Sequence, residues 1–94
     1  MQTFMMFGKY TAEAATKISA ERTAKVQEMV RKHAGELRSI YVLLGTPDLV
    51  MTVELPGIKE ATTLSVALAR ATGITFSTAP AIPADEFDKM IAKG

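Results

Sequence analysis

The stretch Leu37–Leu55, LRSIYVLLGTPDLVMTVEL, holds two apolar runs on either side of a four-residue break. Gly45-Thr46-Pro47-Asp48 supplies the turn. Glycine tolerates unusual backbone angles, proline presets φ, and an aspartate accepts nearby backbone N–H groups. The run before it, Leu37–Leu44, is dense in Leu, Ile, Tyr and Val. The run after it, Leu49–Leu55, alternates Leu49, Met51, Val53 and Leu55 with Val50, Thr52 and Glu54. Both read as strands, and the short break makes them neighbours.

Outward from this centre the pattern changes to helix on both sides. Upstream, Ala, Glu and Lys dominate from Thr11, a suitable N-cap with Glu13 in the first turn. Ser19, followed by Glu21, reads as a second start, so a short helix precedes the main one. Val26, Met29, Val30 and His33 fall on one face of the main helix, and Gly35 is expected to supply the left-handed stop. Downstream, Pro56-Gly57 breaks the chain. Ile58–Thr72 reads as a helix with Ile58, Ala61, Leu64, Ser65, Leu68 and Ala71 inward and Gly73 as its stop. Beyond the helices lie two further strands, Thr3–Lys9 and Ile74–Ala81. Pro83 opens a terminal helix with Asp85 and Glu86 in its first turn, where the helix dipole favours anions. The order is β-α-β-β-α-β plus a helical tail. It predicts an α+β, ferredoxin-like domain, one antiparallel sheet with two helices on one side.

Composition bounds the rest. A chain of 94 residues has room for one core, so residues 1–94 read as a single domain. At this length folding buries only roughly 60–65% of the unfolded surface, a motive for recruiting a partner. Eleven Lys and Arg against ten Asp and Glu give a net charge of +1, which argues against nucleic acid as a partner. No apolar run approaches the ~20 residues of a membrane span. The patch Phe4–Phe7 lacks a preceding basic segment and reads as a strand, not a signal peptide. Cysteine is absent, which removes disulfides and sulfur-based zinc sites and makes a cytoplasmic location the simplest reading.

Two helices cover one side of a four-stranded sheet, yet both sides are apolar here. Phe4 and Met6 point one way and Met5 and Phe7 the other; Ile40, Val42 and Leu44 oppose Tyr41 and Leu43. Burial on both sides is therefore expected. The terminal helix can fold back over the second side, but ~10 residues make a cylinder too short to cover it. Pairing with a second copy is the better expectation.

The stretches Gly8-Lys9-Tyr10-Thr11, Ser19-Ala20-Glu21-Arg22, Tyr41–Gly45, Asp48-Leu49-Val50 and Gly73–Pro83, with Asp85-Glu86-Phe87 after it, resemble the GYD-domain family over essentially the whole chain. The resemblance implies a dimeric α/β barrel. Pro47 stands where the family's Gly-x-Tyr-Asp motif has its tyrosine, while Gly45 and Asp48 remain, so a role resting on that ring is not carried here. Gly45–Val50 and the strand order are also similar to the effector-binding module of feast/famine-type regulators, in which small molecules bind between subunits. The DNA-reading helices of those regulators have no counterpart here.

No phosphate loop or nucleophile elbow occurs, and a single histidine, His33, reads as structural beside a helix C-terminus, the alternative being a role where symmetry brings its copies together in an oligomer. The six Met residues read as core filler. No cofactor and no metal site follow from the sequence. Lys9, Thr52, Glu54, Thr75 and Ser77 are polar residues in otherwise apolar strands. If they share a face with Met5, Phe7 and Tyr41, the result resembles a small-molecule site. Lys9 and Glu54 then offer a ligand-orienting or acid–base pair, against the plainer reading of a marginal salt bridge. Arg22 is a candidate carboxylate clamp, or else pairs with Glu21, Glu28 or a strand. Asp48 is a candidate, against the plainer reading that it simply accepts backbone hydrogen bonds in the turn. The expectation is a homo-oligomer binding a small molecule near its subunit interface. The alternatives are a cofactor-independent monooxygenase- or isomerase-like enzyme and a purely structural assembly unit.

Overall fold

Alternation in the first strand sets the architecture. In the computed structural model, which describes residues 1–93, β1 (Gln2–Tyr10) buries Phe4, Met6 and Gly8 on one side and turns Met5, Phe7 and Lys9 to the other. It is followed by α1 (Ala12–Ala15), α2 (Ala20–Lys32), β2 (Glu36–Val42), β3 (Leu49–Leu55), α3 (Ile58–Thr72), β4 (Ile74–Ala81) and α4 (Ala84–Lys93). The strands form one antiparallel sheet in the order β2-β3-β1-β4. This is the ferredoxin-like arrangement the element order predicts.

The two helix starts are capped as their residue types require. Thr11 Oγ1 accepts from the Ala14 N–H at 3.0 Å, and Ser19 Oγ from the Arg22 N–H at 3.1 Å. α2 and α3 lie on one side of the sheet. Val26 and Val30 from α2, with Ala61, Leu64 and Leu68 from α3, pack on Phe4, Met6, Met51, Val53 and Leu55. No buried polar side chain interrupts this core among the described residues.

Three local expectations are corrected. The left-handed residue that ends α2 is Ala34 (φ 62°), not Gly35. Gly35 is needed for space, because a Cβ there would lie 2.6 Å from the Glu54 carbonyl oxygen and against the Leu55 side chain. The second strand stops at Val42, opposite Leu49, so Leu43 and Leu44 belong to the connecting loop. Ile58 and Ala71 are exposed, since the inner stripe of α3 narrows to the residues directly above the strands. The third and fourth strands and α3 keep their expected bounds.

The terminal helix does not cover the second side of the sheet. None of its residues is buried, and Phe87, Met90 and Ile91 form an exposed apolar stripe at i, i+3 and i+4. No helix among the described residues is long and apolar enough to cross a membrane.

Candidate functional site

The strand residues that turn away from α2 and α3 form four rows, fixed by the pairing register. Lys9 and Thr75 make the row at one end. The next crosses the whole sheet as Tyr41, Val50, Phe7 and Ser77. Below it run Ser39, Thr52, Met5 and Ala79, and the last row is Glu36, Glu54, Thr3 and Ala81. The middle two rows are an apolar belt with hydroxyls set into it. Phe7 is 37% exposed and Tyr41 63%. Thr52 Oγ1 donates to Met5 Sδ at 3.2 Å, which leaves its hydroxyl oxygen as an acceptor on the face.

The ends of the face are charged. At one, the Lys9 side chain is exposed, and its carbonyl accepts from Thr75 Oγ1 at 3.3 Å. At the other, Glu36 and Glu54 sit directly opposite each other across β2 and β3, an arrangement that repels. A β-bulge between Leu37 and Ser39 inserts Arg38 beside them. Its guanidinium forks the Glu54 carboxylate, Nε to Oε2 at 3.0 Å and Nη2 to Oε1 at 3.1 Å, and Nη2 lies 3.3 Å from Glu36 Oε2. Those hydrogen bonds hold the Glu54 carboxyl below the usual carboxylate range against a smaller opposing effect of desolvation. The Glu54 hydrogen bond, then the Glu36 charge, holds Arg38 further in its protonated form.

Lys9, Tyr41, Thr52, Glu54, Thr75 and Ser77, the expected strand candidates, thus share one face with Met5 and Phe7. Lys9 and Glu54 do not come together. Six β1 positions separate Lys9 from Thr3, the register partner of Glu54, so the two stand ~20 Å apart. The partner of Glu54 is Arg38. Glu36 and Arg38 show the period of two that marks one strand face, but the bulge that aims Arg38 leaves no trace in the residue pattern.

Arg22 and Asp48 lie apart from the belt. Arg22 sits half-buried on the helix side, donating to the Ala14 carbonyl and stacked 4.9 Å from the centre of the Tyr10 ring. It ties the α1–α2 corner to β1, and it contacts neither Glu21 nor Glu28 in these bonds. Asp48 Oδ2 accepts from the Tyr10 N–H at 2.7 Å, while its backbone N–H donates to Gly8 and its carbonyl accepts from Leu43. It clips the 43–48 loop to the end of β1. His33 bonds through Nδ1 to the Met29 carbonyl at 2.8 Å at the end of α2.

Two concave spaces within one chain lie off the belt. A cleft of about 300 Å³ separates α1 from the end of α3, and an apolar groove of about 250 Å³ runs between α3 and β4. The belt is a surface; it encloses space only when something lies across it. No curated protein and no solved structure matches the chain. The model of the GYD domain matches residues 4–91, from the first buried phenylalanine of β1 into α4. The chain is a member of the GYD-domain family.

Proposed function

We propose that this chain is a homo-oligomeric domain that binds a small amphipathic anion between two sheets placed belt to belt. The observation that carries the reading is the open face itself. Two rows of Tyr41, Val50, Phe7, Met5 and small residues are left bare by α2, α3 and α4. Contiguous apolar surface of this kind marks an interaction site in a soluble protein. In the enclosed space, the belt takes the apolar body of the ligand. The Thr52 and Ser77 hydroxyls orient it, and Lys9, which has no ion-pair partner within 4.0 Å among the described residues, takes its negative group. The Glu36–Arg38–Glu54 cluster, carrying one net negative charge, repels an anion from the other end.

Binding is favoured over turnover because Lys9 and Glu54, the acid–base pair expected from the sequence, stand at opposite ends of the face within one chain. Thermal denaturation in the presence of amino acids and small carboxylic acids at millimolar concentration tests the reading. At least one compound is expected to raise the midpoint progressively with concentration. Lys9→Met should abolish that rise without lowering the midpoint of the free protein. A flat response across the panel overturns the reading.

A further inference from the structure

Two exposed apolar clusters lie outside the belt, at diagonally opposite corners of the sheet. One is the loop after β2, where Leu43 is partly exposed and Leu44 fully so; β2 is one edge strand. The other is the Phe87, Met90 and Ile91 stripe of α4, which follows β4, the other edge strand. The loop leaves the sheet at the Leu49 and Gly8 end, and α4 leaves it at the Thr3 and Ala81 end. The first turn of α4 borders the open face, since Glu86 shares a hollow with Thr3 and Ala81.

The open face alone makes a small interface. Four strands spaced ~4.8 Å apart and ~24 Å long give a face of roughly 450 Å². A stable interface uses about 800 Å² per partner. The corner clusters are exposed apolar surface at the ends of the edge strands and can supply the difference. Symmetry limits how they can be used, because in a two-fold pair each patch meets its counterpart reciprocally. An axis along the strands lays Leu44 over the Lys9–Thr75 end of the partner. An axis across the strands lays it over Glu36, Arg38 and Glu54. An axis in the interface at right angles to the corner-to-corner diagonal exchanges the two corners and sets apolar on apolar twice.

We propose that the sheets pair about this diagonal axis, so that α4 of each chain seats Phe87, Met90 and Ile91 on Leu43 and Leu44 of the other. The proposal rests on the belt-to-belt pairing above and adds its geometry. It also accounts for a terminal amphipathic helix that buries nothing in its own chain.

Because the chain contains no cysteine, introduced thiols report proximity without background. Three variants of the full chain are oxidised at low micromolar concentration: L44C/M90C, L44C/E36C and L44C alone. A disulfide needs Cα atoms within about 7 Å, which no intrachain pair here satisfies, because Leu44 stands a whole strand from Glu36 and at the opposite corner from Met90. The proposal expects a closed covalent dimer from L44C/M90C alone, with at least a tenfold higher yield than either other variant. A dimer from L44C/E36C or from L44C overturns the diagonal axis, and a polymeric ladder from L44C/M90C overturns two-fold closure. Light scattering of the unmodified chain separates the two readings. A dimer without the L44C/M90C link contradicts only the diagonal geometry, and a monomer contradicts the pairing as well.

Discussion

The two sides of the sheet come from the same strands, one residue out of phase, and they differ in what the chain does with them. On the side of α2 and α3, β3 buries Leu49, Met51, Val53 and Leu55 completely or nearly so, and Phe4 and Met6 close against Leu64 and Leu68. On the other side the same strand offers Val50, Thr52 and Glu54, each half-buried by its neighbours in the sheet and covered by no helix. The first side is a finished core in which every contact is intrachain. The second mixes apolar rings with hydroxyls and ends in charge, a composition suited to a surface that is solvated in the free chain and covered in an assembly. The lesson is that apolar content alone does not separate a core from an open face. The polar residues set among the apolar ones do.

The largest effect is expected on the finished side. Leu64→Ala removes a fully buried side chain and should lower the free energy of unfolding by about 2–5 kcal/mol in urea titration. A loss under 1 kcal/mol would mean that α3 is not the cover this comparison assumes. On the open side, Phe7→Glu should leave the secondary structure and cooperative unfolding of the isolated chain intact while weakening self-association by about 2 kcal/mol or more. Concentration-dependent sedimentation reads the second effect and circular dichroism the first. If the two substitutions destabilise the fold equally, the two sides are not different in kind.

Smaller effects sharpen the boundary between the sides. Asp48→Ala leaves the Tyr10 N–H without its carboxylate and loosens the 43–48 loop, still held to β1 by the backbone bond to Gly8, at a cost of about 1–2 kcal/mol in thermal unfolding. Hydrogen exchange should rise first at Tyr10 and Leu43. The smallest effect concerns pH. Glu54 has a carboxyl pKa lowered by Arg38 in the folded chain, so its contribution to stability is fully present above the unfolded value of about 4.3 and is lost as pH falls through the lower folded value. Arg38→Met should flatten that acid limb by lowering stability slightly above pH 5, where the pair is formed, and leave stability below the folded pKa nearly unchanged; the drop is small because the pair is solvent-screened. A variant with the same acid limb as the native chain would show that the Arg38–Glu54 bonds do not set the pKa.

Most of the fold was legible because its signals are local. The turn residues Gly45–Asp48 and Pro56-Gly57, and the alternation from Leu49 to Leu55, mark breaks and faces within a few residues of each other. The placement of Lys9, Tyr41, Thr52, Thr75 and Ser77 on one side was legible for the same reason, since a period of two needs only the strand bounds. What stayed hidden depends on register between distant strands. The separation of Lys9 from Glu54 follows from the offset of β1 on β3. The Glu36–Arg38–Glu54 cluster follows from a bulge that no residue announces. Gly35 was misread because closeness to Leu55 and the Glu54 carbonyl, and not its own backbone angle, demands glycine there.

Static light scattering of the native chain across the micromolar range, beside Phe7→Glu, tests most directly whether the open face is closed by a second copy. The account predicts twice the 10.1 kDa chain mass for the native protein and a return to the single-chain mass for the variant. A native protein that stays at the single-chain mass, folded and with a midpoint independent of concentration, would contradict it.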